Sequence, residues 1–147
     1  MIRVLFVCIR NSARSQMAEG LARHFGAGKV EAFSAGSQPT SVHPFAVSVM
    51  QERDIDISSQ FSKSFSDVAN HYFDYVITLC GKGEVSCPVF PGQYERLYWP
   101  LPDPSTAKGS VEDKLSAFRN IREALSKRIQ ELFESQILTN RRDKNYT

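Results

Sequence analysis

Apolar positions follow two rhythms along this chain. Val4-Leu5-Phe6-Val7, within the longest unbroken apolar run of Val4 to Ile9, reads as a buried strand. After a polar interval, Met17, Ala18, Leu21, Ala22 and Phe25 recur at helical spacing until Gly26 and Gly28 stop them. Val30 to Phe33 predicts a second strand that ends at Ser34-Ala35-Gly36, and the polar stretch Ser37 to Val42 leads to Pro44, which suits the first position of a helix through Met50. Ser64 to Tyr72 predicts a short helix. Tyr75-Val76-Ile77-Thr78-Leu79 is a β-branched run of the kind a parallel strand covered on both faces requires. Leu97, Tyr98 and Trp99 predict a last short strand before Pro100-Leu101-Pro102-Asp103-Pro104, whose prolines can continue neither a ladder nor a helix. From Val111, the positions Leu115, Phe118, Ile121, Leu125, Ile129, Leu132 and Phe133 mark a long amphipathic helix that should cover one sheet face.

Strands alternating with helices predict one α/β domain over residues 1–138, a four-stranded parallel sheet flanked by helices with right-handed crossovers. Ligands of such sheets bind beyond the carboxyl ends of the strands, where Cys8, Cys80 and Asp103 all fall. The tail 139–147 is polar and unpatterned, is expected to be mobile, and is assigned no chemistry.

Composition narrows the function. The 147 residues suffice for one core that needs no staples. Eighteen Lys and Arg against sixteen Asp and Glu give a near-neutral balance, with no signal for nucleic acid or another polyanion. No apolar run approaches a membrane span or a signal peptide, so a cytoplasmic protein is expected. Three cysteines, an odd number spaced unlike zinc ligands, argue for reactive thiols over a disulfide framework or a metal site.

The chemistry concentrates at Cys8-Ile9-Arg10-Asn11-Ser12-Ala13-Arg14-Ser15, between the first strand and the first helix. A loop in that position aims successive backbone N–H groups at one spot, and the helix start adds partial positive charge. Arg14 supplies a planar fork that can grip two oxygens of a tetrahedral anion, and Cys8 is a nucleophile beside it. The same fields favour thiolate over thiol. Ser12 and Ser15 add hydroxyls, and Asn11 can brace a tight turn. A cysteine that only packed at a strand end would need none of these neighbours.

Cys80-Gly81-Lys82-Gly83-Glu84-Val85-Ser86-Cys87 sets two more thiols around a glycine-rich segment, and a disulfide between them is within steric reach if the segment bends. Two independent core cysteines are the alternative. Asp103, held between prolines, can act as general acid to a leaving oxygen, although an ordinary turn aspartate would look the same. His24, His43 and His71 are expected at the surface, and Trp99 in the core.

The string Val7-Cys8-x-x-Asn11-Ser12-x-Arg14-Ser15-Gln16-Met17-Ala18-Glu19-Gly20, together with Ser34-Ala35-Gly36, Thr78-Leu79-Cys80, Cys87-Pro88 and Trp99-x-x-x-Asp103-Pro104, resembles the thioredoxin-coupled arsenate reductases, which share the fold of low-molecular-weight tyrosine phosphatases. The resemblance covers most of residues 3–133. It implies Cys8 as nucleophile, Arg14 as oxyanion clamp, Ser15 as thiolate stabiliser, Asp103 as acid, Cys80 and Cys87 as the redox pair, and Ile9, Arg10, Asn11, Ser12, Ala13, Arg14 and Ser15 as the oxyanion cradle. Arg10 stands where the family often has glycine, and Ala13 where many members have a further cysteine. Asn11, Glu19 and Ser34 match positions that bind potassium in some members, but Lys63 falls where those have an acid, so no potassium dependence is expected.

The resemblance implies arsenate as substrate, phosphate or sulfate as competing anions, and thioredoxin as reductant. No cofactor, no nucleic-acid partner and no membrane partner are expected, and the chain is expected to be a monomer. A phosphatase acting on phosphotyrosine is the main rival reading. It needs no second thiol, and Ser105-Thr106-Ala107 follow Asp103-Pro104 where such enzymes tend to carry tyrosines. A binding protein for thiophilic ions built on the three cysteines would leave Arg14 and Asp103 without a use.

Overall fold

The computed structural model describes residues 1–84 and 87–138. Four strands, β1 (Ile2–Cys8), β2 (Val30–Gly36), β3 (Tyr75–Thr78) and β4 (Glu95–Tyr98), form one parallel sheet in the order β2-β1-β3-β4. β1 is central and buried from Val4 to Cys8, as its unbroken apolar run requires. Its alternate residues serve two cores. Val4 and Phe6 pack on the face covered by helices α1 (Arg14–Phe25), α2 (Pro44–Gln51) and α4 (Val111–Leu132), whereas Leu5 and Val7 meet Val68, Phe73 and Phe90 on the other.

Each helix begins and ends for a local reason. α1 closes at Gly26, whose N–H reaches the Ala22 carbonyl at 2.9 Å. Pro44 opens α2, with His43 as its cap. A reciprocal Ser110–Asp113 box starts α4, which continues into a π-helical turn at Phe133–Leu138. Glu52 at the end of α2 clamps α4 through Arg119 (2.9 Å) and Arg122 (2.7 Å), and the buried Arg122 also donates to the Val49 carbonyl at 2.7 Å.

Several boundaries differ from the sequence reading, and β1 and β4 each begin two residues early, at Ile2 and Glu95. Helix α3 spans only Phe65–Val68, against the expected 64–72. Its capping box of Ser64 and Asp67 starts it, but Phe73 must turn inward between Phe33 and Phe90, and Asp74 must pair with Arg3 to open β3, so the chain leaves the helix early. Leu79 lies past the end of β3. Trp99 lies past the end of β4, where its N–H still bonds Thr78 at 2.9 Å while its ring packs on Phe6. The polar tail lies outside the described residues. Among the described residues no helix is long and apolar enough to cross a membrane.

Candidate active site

β1 delivers Cys8 to the carboxyl edge of the sheet, buried, and the chain then reverses within five residues to begin α1 at Arg14. That reversal puts Asn11 at φ 50°, a left-handed conformation that asparagine tolerates better than most residues. The Asn11 side chain is fully buried and braces the turn: its Nδ2 donates to Ser15 Oγ (2.8 Å), while its Oδ1 accepts from Gln16 Nε2 (2.9 Å) and the Lys63 N–H (2.8 Å).

The loop carbonyls are tied outward. Ile9 accepts from the Gln38 N–H (2.8 Å), Arg10 from Ser62 Oγ (2.9 Å), and Ser12 from the His43 N–H (3.0 Å). Peptide units anchored this way turn N–H groups toward the interior, the arrangement an anion needs. Ala13 gives α1 no side-chain cap, which leaves the first N–H groups of the helix for the same purpose. Gly36 makes the fit possible, since a Cβ there would stand 2.4 Å from the Ile9 carbonyl oxygen.

Ser15 Oγ lies 2.9 Å from Cys8 Sγ, close enough to donate to a thiolate. Arg14 is buried beside them. Its Nη1 donates to the Leu101 carbonyl at 3.0 Å and to Glu84 Oε1, its Nη2 to Glu84 Oε2 at 3.1 Å, and Asp103 Oδ2 stands 3.9 Å away. Burial works against the guanidinium charge, yet the Glu84 hydrogen bond and the surrounding negative charge outweigh it and hold Arg14 protonated more firmly than usual. The same bond from Arg14 holds the Glu84 carboxyl below its ordinary range, against the opposing effect of burial. Asp103 is fixed by the Ser105 N–H (2.9 Å) and hydroxyl (2.7 Å), at the start of the 3-10 turn Pro104–Thr106.

These groups surround a cavity of about 370 Å3 whose lining includes Cys8, Arg10, Arg14, His43, Glu84 and Asp103. Ile9, Ser12 and Ala13 complete the floor, whereas Asn11 and Ser15 lie beneath it as braces. Cys80 is buried just beyond β3, and because Val7 pairs with Thr78 it leaves the sheet next to Cys8. Cys80 and Cys87 form a disulfide, with Cα atoms 5.9 Å apart. Behind the loop, the Lys63 ammonium sits 3.4 Å from Glu19, which also accepts from Ser34 at 2.7 Å. Among the described residues no cluster of His, Cys, Asp and Glu could hold a metal ion.

Five residues of the cavity lining, Gln38, Thr40, His43, Glu84 and Ser105, escaped the sequence reading. His43, expected at the surface, is half-buried because Pro44 starts α2 there and its ring packs on Phe118, and burial pushes its imidazole below the ordinary value against the pull of Asp103. His71 is also half-buried, against Phe33, whereas His24 is exposed as expected. Glu84 carried no signal beyond lying between the two cysteines.

Residues 3–143 match the model of the low molecular weight phosphotyrosine protein phosphatases. An arsenate reductase of Halalkalibacterium halodurans is 39% identical over 90% of this chain and 95% of its own length. A glutaredoxin arsenate reductase of Synechocystis is 40% identical over 90% of this chain and 96% of its own length. Among solved structures, an arsenate reductase in the phosphate-binding state superposes with a TM-score of 0.78 at 40% identity, covering 91% of this chain and 98% of the other. A thioredoxin-dependent arsenate reductase of Corynebacterium glutamicum superposes with a TM-score of 0.69 at 36% identity, covering 92% of this chain and 61% of the other.

Proposed function

The chain belongs to the low molecular weight phosphotyrosine protein phosphatase family, and from that premise we propose that it reduces arsenate to arsenite, with Cys8 as nucleophile and with Cys80 and Cys87 as a thiol relay emptied by thioredoxin. The observation that carries this reading is a disulfide at the end of the strand next to the nucleophile's own strand, a pairing that phosphate-ester hydrolysis does not use.

Arsenate enters the loop of Ile9 to Ser15, its oxygens held by backbone N–H groups and by Arg14. The Cys8 thiolate, supported by the Ser15 hydroxyl, attacks arsenic while Asp103 protonates the departing oxygen, which leaves as water. A Cys8 thiol-arsenate adduct remains. The Cys80 thiolate then attacks Cys8 Sγ; the S–As bond breaks, its electron pair stays on arsenic, and arsenite departs from a Cys8–Cys80 disulfide. Cys87 attacks Cys80 Sγ and frees the Cys8 thiolate. A dithiol donor reduces the resulting Cys80–Cys87 disulfide, the state described above. Phosphate and sulfate, as tetrahedral anions, compete for the same cradle.

The cradle, Arg14 and Asp103 also suit slow hydrolysis of an aryl phosphate, so a weak phosphatase activity accompanies the reductase. The downstream thiols separate the two. Cys80→Ser should keep aryl phosphate hydrolysis and lose arsenite production. Cys87→Ser should release one equivalent of arsenite and stall as a Cys8–Cys80 disulfide, which peptide mapping detects. Sustained thioredoxin-coupled turnover in Cys87→Ser would exclude the relay, and turnover restored by glutathione with glutaredoxin in place of thioredoxin would correct the donor.

A further inference from the structure

Arsenate binding needs the Arg14 charge, and in this structure Glu84 already holds it. The pair is bidentate, Nη1 to Oε1 and Nη2 to Oε2. Glu84 Oε1 also accepts from the Gly81 N–H at 2.8 Å, so its carboxylate is fixed inside the segment that the Cys80–Cys87 disulfide closes. It lines the same cavity as Cys8. Charge then decides how tightly the cavity holds an anion: the buried Arg14 faces two carboxylates, Glu84 in contact and Asp103 at 3.9 Å, while the exposed Arg10 lines the same cavity. Arg14 keeps its Nε without a partner among the described residues, so a donor remains for an anion, but the Arg14 charge itself is already compensated, which weakens the pull on an anion without abolishing it.

We infer that Glu84 is a further residue of the reaction cycle, an internal competitor that the Cys80–Cys87 disulfide sets on Arg14, so that the spent enzyme binds arsenate and phosphate more weakly until it is reduced. The inference rests on the proposed relay only in taking the disulfide form as the spent enzyme. Reduction opens the loop closure that fixes Glu84 and returns the Arg14 fork to the oxyanion. The Arg14 bond that holds the Glu84 carboxyl below its ordinary range keeps the competitor charged at neutral pH.

Inorganic phosphate is the probe. It is titrated calorimetrically into the full-length protein, prepared with the Cys80–Cys87 disulfide and, separately, fully reduced, with thiol counts checked by mass. The disulfide form of the wild type should bind phosphate about tenfold more weakly than the reduced form. In Glu84→Gln and Glu84→Ala the ratio of the two affinities should fall toward one. Equal affinities in the two wild-type states would overturn the inference. So would a disulfide-form Glu84→Gln that binds phosphate more weakly than wild type, because Glu84 would then be a positioning residue for Arg14. The wild type gives a second reading that needs no variant. In its disulfide form the Gly81 amide resonance should move with a midpoint about tenfold higher in phosphate than the midpoint of the reduced form, and a shift that follows the reduced form's midpoint would also overturn the inference. No arsenate or thioredoxin enters these measurements, so a failed relay leaves them unchanged and shows only in the mapping of Cys87→Ser.

Discussion

Gly36 shows how much of the site depends on a side chain that is missing. The last residue of β2 lies so close to the Ile9 and Cys8 carbonyls and the Asn11 N–H that a single added carbon must displace the oxyanion loop. Gly36→Ala is expected to lower arsenate turnover by about a hundredfold, since a shift near 1 Å misplaces nucleophile and clamp together, and to cost about 1–3 kcal/mol of stability. Steady-state kinetics and a urea melt check both. At this scale the sequence was most readable where the chemistry is local. Cys8 and Arg14 share one turn, so their spacing alone points to an anion beside a thiol. Asp103 was ambiguous because a turn aspartate and a cavity carboxylate occupy the same position: it caps a turn through Ser105 and lines the cavity 3.9 Å from Arg14. Glu84 and His43 were illegible because the fold, not their neighbours in sequence, brings them into the cavity.

Elements with a strong period were readable to within a residue or two, α1 and α4 above all. Short ones yielded to tertiary demands, as α3 did to Phe73 and Asp74. What periodicity cannot express is how α2 and α4 are locked together through Glu52, Arg119 and Arg122. The hydrogen bonds from Arg119 and then Arg122 pull the Glu52 carboxyl from its ordinary 4.5 down to about 2. A carboxyl with a depressed value stabilises the fold fully above its unfolded value and loses that contribution as pH falls through the folded one. Glu52→Gln should therefore destabilise the protein by about 1 kcal/mol near neutral pH, a modest figure because Glu52 is partly exposed. The difference between wild type and variant should close between pH 4.5 and about 2, as thermal melts across that range would show.

The whole molecule builds its cavity from segments far apart in sequence: the loop after β1, residues 38–43, Glu84, and the turn at Asp103. An oxyanion that bridges them binds the folded chain alone, so phosphate at about a hundred times its dissociation constant should raise the stability of the reduced protein by about 2.7 kcal/mol. Differential scanning calorimetry with and without phosphate tests this, and an unchanged melting temperature would mean the cradle is not assembled in the reduced state. The segment that reaches the loop from behind carries Lys63, whose ammonium lies against Glu19 and the Phe61 carbonyl and whose backbone N–H holds Asn11. Glu19 is paired with two cations of the chain, Lys63 at 3.4 Å and Arg23 at 2.7 Å, so its charge is already compensated before a dissolved ion arrives. Turnover at constant ionic strength should agree within about twofold between potassium and sodium chloride, and a larger preference for potassium would mean that Glu19 recruits an ion despite its neighbour. A counter-ion that is part of the polypeptide cannot be washed out, outcompeted or read as a signal, so exchanging one monovalent cation of the surroundings for another is expected to leave this reaction where it was.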